Sequence, residues 1–90
     1  MATIIKADSS KVNVKPLGAN GKLTLEQLQE AVGGFIEHLM LPNGHIFFDE
    51  EGKLKGKAYN EQATLLVRGI IAHDDMIVGD AIVCKDEEVE

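Results

Sequence analysis

The sequence is poor in the residues that mark specialised folds. It contains one cysteine, no tryptophan, two prolines, three phenylalanines and one tyrosine in 90 residues. A single cysteine, Cys84, excludes an internal disulfide framework and favours a reducing compartment. No apolar run reaches the length of a signal peptide's hydrophobic region or a membrane span. We therefore expect one small cytoplasmic domain with an aliphatic core and no membrane association.

Basic residues are also scarce. Nine lysines and arginines oppose fifteen acidic residues, for a formal net charge of −6. Modules that bind nucleic acid usually carry a basic surplus, so nucleic acid is not expected as a partner. An acidic surface can instead meet a basic patch on another protein, although many acidic proteins are simply soluble.

The stretch 23–41 organises the rest of the chain. Thr24 is a good N-cap, and Gln27 lies three residues later, where a capping box requires it. An apolar stripe at helical spacing follows, and Gly33-Gly34 can end the helix in a left-handed C-cap. The members of that stripe are Leu25, Leu28, Ala31 and Val32.

Residues 35–41 and 45–49 form a predicted hairpin around Pro42-Asn43-Gly44, read as a type I turn with a glycine bulge. This turn pairs Met40 with Ile46 and places His38 and His45 on opposite faces. Both faces are largely apolar. If two helices cover one face, the other can bind a second copy of the chain. The uncovered face holds either Phe35, Leu39 and Phe47, which are the interface candidates, or Ile36, Met40 and Phe48. A monomer, with the N-terminal strands folded over that face, is the alternative.

The remaining segments complete an α+β fold. Residues 3–7 and 11–15 read as strands, residues 77–84 as a bulged strand, and Asn60 as the N-cap of a second helix. Its predicted buried stripe is Ala63, Leu66, Val67 and Ile70. We expect an antiparallel sheet of about four to five strands with two helices packed against it. Residues 1–85 form this domain, and 86–90 form a loose acidic tail.

Three lysines alternate just before the second helix. Lys53, Lys55 and Lys57 would lie on one side of an extended segment that ends at Tyr59 and Asn60. Ammonium groups beside a helix N-terminus can hold an anion such as a nucleotide phosphate. Alternating lysines also keep edge strands soluble, which is the commoner use.

No motif indicates a catalytic or metal site. The three histidines and Cys84 lack the spacing of zinc ligands. The acidic run 49–51 lacks the remaining ligands of a calcium loop. His73 with Asp74 and Asp75 could be drawn as an acid–base cluster, but adjacent turn residues rarely converge. We expect no cofactor and no metal.

Three segments together resemble a small family of unknown function: AVGGFIE after the capped helix, DEEGKLKGKAYNEQAT, and IVGDAIV. Members of that family occur in bacteriophages, plasmids and some bacterial genomes, often as short stand-alone proteins. The resemblance implies a phage or mobile-element protein in the bacterial cytoplasm and supplies no catalytic residues. With the acidic surface and the apolar hairpin, it predicts a non-enzymatic accessory protein that binds a host protein. The alternative is a protein that sequesters a small anionic ligand, and an enzyme of unknown type ranks third.

Overall fold

A computed structural model describes residues 1–72 and 75–89. The strands are β1 (Ala2–Ile5), β2 (Lys11–Val14), β3 (Ile36–Leu41), β4 (Gly44–Asp49) and β5 (Ala81–Cys84). The helices are α1 (Leu25–Val32) and α2 (Glu61–Leu66), and short 3-10 turns occupy Ala19–Gly21 and Asp86–Glu88. The predicted α+β class is confirmed, although the last strand is shorter than predicted.

The five strands form one antiparallel sheet in the order β2-β1-β5-β4-β3. The C-terminal strand lies in the centre, between the N-terminal strand and the hairpin. Its inner position explains why Ala81 and Ile82 are fully buried. Among the described residues, β2 and β3 are the two edge strands of this open sheet.

The helix α1 begins and ends as its sequence predicts. The Thr24 hydroxyl accepts from the Gln27 amide at 3.0 Å, and the Gln27 side chain accepts from the Thr24 amide at 3.1 Å. Gly33 ends the helix with φ of 77°, a conformation that a residue with a Cβ resists. Leu28 and Val32 are buried, whereas Leu25, predicted in the same stripe, is exposed.

The two helices cover opposite faces of the sheet, so the prediction that both pack on one face is wrong. The α1 face contains Leu28, Val32, Phe47 and Ile82 among its buried residues. The other face contains a second core cluster, Ile46, Ala63, Val67, Ile77 and Ala81. Alternate residues of β4 and β5 point to opposite faces, and each face has its own apolar cover.

The predicted hairpin register is wrong by one residue. Leu41 pairs with Gly44, which leaves a two-residue loop, and Leu39 therefore pairs with Ile46. A shift of one residue changes which side chains share a face. Since both faces of this hairpin are apolar, alternation along the sequence could not select between the two registers.

The second helix is short and only partly apolar toward the sheet. Ala63 and Val67 are buried as predicted, but Leu66 and Ile70 are exposed. Thr64 is buried instead, because its hydroxyl donates to the Asn60 carbonyl at 2.8 Å and accepts from the Ile77 amide at 2.9 Å. The hydrogen-bonded Thr64 is thus a core residue that the hydrophobic pattern did not predict.

Residues 86–89 pack against the domain, contrary to the predicted loose tail. The Leu23 amide donates to the Glu88 carbonyl at 2.8 Å, and the Lys22 ammonium donates to the Val89 carbonyl, also at 2.8 Å. The buried Glu88 carboxylate lies 3.2 Å from the N-terminal ammonium of Met1. The segment therefore links the start of α1 to the N-terminal residue.

Candidate functional site

The lysine segment forms an ion-pair cluster around Asp49, at the end of β4. The Asp49 side chain is fully buried, and its Oδ2 lies 2.9 Å from the Lys55 ammonium and 2.6 Å from the Lys57 ammonium. Lys57 also donates to the Val32 carbonyl at 2.7 Å, at the C-terminal end of α1. Cations at this end of a helix interact favourably with its unpaired carbonyls.

The electrostatics of this cluster favour an ionised carboxylate. Burial by itself raises the pKa of Asp49, but hydrogen bonds from Lys57, Lys55 and the Glu51 amide lower the pKa to about 2. Asp49 is therefore ionised at neutral pH and holds both ammonium groups against the sheet. The cluster joins β4, the end of α1 and the segment before α2.

The predicted extended strip of three lysines is not formed. Residues 50–56 are turns, and the Lys53 ammonium pairs with the Asp75 carboxylate rather than lying beside the other two. Each of the three lysines thus faces a carboxylate of the chain. An anionic ligand would have to compete with those carboxylates, one of which is buried. The three lysines therefore serve as partners of carboxylates within the fold, and this arrangement does not favour the anion-site hypothesis.

Tyr59 and Asn60, the other two anion-site candidates, occupy different environments. Tyr59 is partly exposed and forms an isolated bridge with Val78. Asn60 is fully buried: its Oδ1 accepts from the Ala63 amide, and its Nδ2 donates to the Ile5 and Gly79 carbonyls, both at 2.8 Å. All of its hydrogen-bonding groups have partners inside the fold, so Asn60 caps α2 and ties it to β1.

The three interface candidates do not form one patch. Phe47 is buried beneath α1, and Leu39 packs against the core cluster on the opposite face. Phe35, just before β3, is 65% exposed. This separation follows directly from the corrected register. The hypothesis of a homodimer remains a prediction, but it was motivated by an uncovered sheet face, and among the described residues each face carries an apolar cluster.

A chain of titratable groups lies on the α1 face of the hairpin and was missed at the sequence level. His38 Nε2 lies 2.6 Å from His45 Nδ1, and His45 Nε2 lies 2.6 Å from the Asp86 carboxylate. The His38 ring also stacks on Phe47 with a centroid distance of 4.8 Å. The prediction that the two histidines lie on opposite faces is wrong, because it depended on the shifted register.

Cys84 is the cross-strand partner of His45 but is not a reactive thiol. Burial raises its pKa to about 11, with Glu88 and Asp86 adding to the effect. The thiol is therefore protonated at neutral pH and behaves as a small core side chain.

The outer edge of β3 has no partner strand among the described residues. The strand is six residues long, and Pro42 lies just beyond its end. Met40 is 67% exposed on this strand, and Phe35 is exposed just before it. Natural proteins usually protect such an edge with charge, proline or a covering loop. Here Glu37 is the acidic residue on an edge flanked by two large apolar side chains.

A cleft of about 170 Å³ lies on the α2 face of the sheet, between β3, β4 and residues 75–78. Small-molecule sites usually enclose about 300 to 1,000 Å³. The ion pair of Lys53 and Asp75 contributes to its lining, together with Leu39 and Phe48. The cleft is too small for a nucleotide-sized ligand.

Comparison with known proteins assigns a family. Residues 1–90 match a family described as Domain of unknown function (DUF3846). The chain belongs to the DUF3846 family. This match confirms the predicted membership of a family of unknown function. No curated protein and no solved structure shows significant similarity to this DUF3846 chain. Within residues 1–72 and 75–89, no helix is long and apolar enough to cross a membrane.

Proposed function

We propose that this DUF3846 protein is a non-enzymatic accessory protein of a phage or other mobile element. It acts in the cytoplasm of the bacterial host by binding a host protein. The observation that carries this proposal is the β3 edge, defined here as strand Ile36–Leu41 with the adjoining Phe35. A partner segment in extended conformation adds to this edge as a further strand of the sheet.

The backbone of β3 supplies the affinity in such a complex. In an antiparallel sheet, alternate residues of an edge strand point their N–H and C=O groups away from the sheet. A partner strand satisfies these groups, and its side chains contact those of the edge strand. Met40 and Phe35 provide apolar contact area at the two ends of the edge.

The charge of the chain favours a partner with a basic surface. The formal net charge is −6, and Glu37 lies on the β3 edge, with the exposed Glu50 and Glu51 beyond the end of β4. Charges at the rim of an interface mainly raise the association rate and select among partners. Binding should therefore weaken as the salt concentration rises, while the strand pairing persists.

Affinity capture from a lysate of the bacterium that carries the gene tests the proposal. The full chain is immobilised, and the lysate is applied at low and at high salt. Met40→Lys places a charge on the β3 edge. Val12→Lys is the matched control, because Val12 is an exposed apolar residue of β2, the other edge strand. We expect a captured protein that is lost with Met40→Lys and retained with Val12→Lys.

Hydrogen exchange with the purified partner provides the second readout. The backbone amides of 36–41 that point away from β4 should become protected when the partner binds, and the amides of 11–14 should not change. Capture of nothing at either salt, or equal capture by both variants, would contradict the proposal. Light scattering of the free chain tests whether the chain self-associates through the β3 edge. A dimer lost with Met40→Lys would mean that a second copy occupies the edge instead.

A further inference from the structure

The two histidines of the hairpin are arranged as a pair of nitrogen ligands. They lie on adjacent strands, His38 opposite Phe47 and His45 opposite Met40, and are diagonal neighbours on the α1 face. Their nearest nitrogens, His38 Nε2 and His45 Nδ1, are 2.6 Å apart. The His45 side chain is only 12% exposed, so packing restricts the orientation of its ring.

Asp86 determines which nitrogen of His45 carries its hydrogen. The Asp86 carboxylate lies 2.6 Å from His45 Nε2 and can only accept, so Nε2 donates. In neutral His45, the lone pair is then on Nδ1, directed at His38. Metal-binding histidines typically donate their other ring N–H to a carboxylate, which fixes the tautomer and raises the basicity of the ligand nitrogen.

We propose that His38 Nε2 and His45 Nδ1 bind a divalent first-row transition-metal ion, with Cu²⁺ as the best fit, and that Asp86 positions His45. In the metal-free protein, His38 Nε2–H donates to His45 Nδ1. When the metal takes the place of that hydrogen, the proton of His38 moves to its Nδ1, and both ligand nitrogens then carry a lone pair. Two neutral rings therefore keep their protons, and binding releases a proton only from a protonated ring.

The distance between the nitrogens favours a tetragonal ion over a tetrahedral one. With metal–nitrogen bonds of about 2.0 Å, two ligands at a right angle are about 2.8 Å apart, and two tetrahedral ligands about 3.3 Å. The present separation is 2.6 Å. A tetragonal Cu²⁺ site thus requires only a small increase in the distance between the nitrogens, but it also requires the exposed His38 ring to turn, because the two hydrogen-bonded nitrogens now face each other. Cu²⁺ also leads the affinity order of divalent ions for nitrogen ligands.

The surroundings leave room for water to complete the coordination. His38 is exposed at the β3 edge, so an ion can reach the pair from solvent. No cluster of three or more metal-ligating side chains occurs within the part of the chain that the structure describes, so the site has two protein ligands.

Titration of the full chain, without an affinity tag, with CuCl₂ and ZnCl₂ by isothermal calorimetry at pH 7.5 tests the proposal. We expect one Cu²⁺ per chain, bound more tightly than Zn²⁺. His38→Gln and His45→Gln should each weaken Cu²⁺ binding at least tenfold, since each removes one of two ligands. Asp86→Asn should weaken it about tenfold, as loss of an orienting carboxylate typically does. His73→Gln is the matched control and should bind Cu²⁺ like the unmodified chain.

Two further measurements keep the result unambiguous. Electron paramagnetic resonance should report two nitrogen ligands in the unmodified chain and fewer in His38→Gln. Circular dichroism verifies that the variants are folded; if His45→Gln is not, His38→Gln carries the test because its ring is exposed. Unchanged Cu²⁺ affinity in folded His38→Gln, or loss of binding in His73→Gln, would overturn the proposal. If the unmodified chain binds Cu²⁺ only weakly and without a fixed stoichiometry, the ion is an adventitious ion only and the proposal is overturned.

Discussion

Neutralising Asp49 should cost more stability than any other single charge removal near the lysine segment. Asp49→Asn keeps the size of the side chain but removes the charge that faces Lys55 and Lys57. Two ammonium groups then lie near each other and near the end of α1 without their counter-ion. The asparagine must also replace the carboxylate as acceptor of the Glu51 amide, which donates to Asp49 at 2.8 Å.

The size of the effect follows from the pKa. The cluster lowers the pKa of Asp49 from its ordinary 3.8 to about 2. At about 1.4 kcal/mol for each tenfold change in acidity, this corresponds to between roughly 2 and 3 kcal/mol of folding free energy at neutral pH. Lys55 and Lys57 retain 40% and 23% side-chain exposure, so solvent screening places the expected loss near the lower figure. For a domain of this size, 2 kcal/mol lowers the thermal midpoint by about 10 °C.

The pH dependence separates this charge effect from a packing effect. Because the folded-state pKa lies below the unfolded one, the stabilisation is complete well above pH 3.8 and is lost as the pH falls through about 2. Urea unfolding of the unmodified chain and Asp49→Asn should therefore differ by about 2 kcal/mol at pH 7 and converge toward pH 2. Glu50→Gln, which neutralises the exposed neighbouring carboxylate, should be within about 0.5 kcal/mol of the unmodified chain.

A difference between the unmodified chain and Asp49→Asn that stays constant from pH 7 to pH 2 would refute the reasoning. It would mean that the asparagine acts through packing or through its hydrogen bonds rather than through the lost charge. Equal effects of Asp49→Asn and Glu50→Gln at pH 7 would also refute it, since the two carboxylates differ chiefly in burial and partners.

Three further predictions concern local structure, each measured by equilibrium unfolding. Thr24→Ala should cost about 1 kcal/mol of folding free energy through loss of the N-cap. Gln27→Ala should cost about 2 kcal/mol, since its side chain also bonds the Lys15 carbonyl and the Leu17 amide. Equal costs would mean that these two additional hydrogen bonds do not stabilise the fold. Phe47→Ala should cost about 3 to 5 kcal/mol and Phe35→Ala less than about 0.5 kcal/mol, and a large cost at Phe35 would contradict its exposure. Gly33→Val should cost at least about 1 to 2 kcal/mol, because a β-branched residue resists φ of 77°, and a neutral result would place the helix end elsewhere.

Local chemistry allowed the helix boundaries to be predicted from the sequence. The capping box of Thr24 and Gln27 and the left-handed end at Gly33 involve residues within one turn of each other. The N-cap role of Asn60 is local in the same way, since its Oδ1 accepts from an amide three residues later. Such signals depend on backbone geometry that neighbouring residues share, so tertiary contacts hardly alter them.

The hairpin register could not be predicted because the sequence offers no contrast between its faces. Strand residues normally reveal a register by alternating between apolar and polar side chains. Ile46, Phe47 and Phe48 are all apolar, and each face of β4 lies against its own core cluster. The positions of His38 and His45 depended on this register, and so did the separation of Leu39 from Phe47.

The sequence by itself determined the α+β class, the N-caps of both helices, the C-cap of α1 and membership in a family without an assigned function. Only the tertiary structure decided that α1 and α2 cover opposite faces and that Lys55 and Lys57 share the buried Asp49. It also brought Asp86, 41 positions after His45, onto that imidazole. The physical reason is sequence distance. A cap joins residues three or four apart, whereas the packing of the helices and the contact of Asp86 with His45 join distant segments that meet only when the sheet has assembled around β5. Lys55 and Lys57 are closer to Asp49 in sequence, but they reach it only through the turns of residues 50–56.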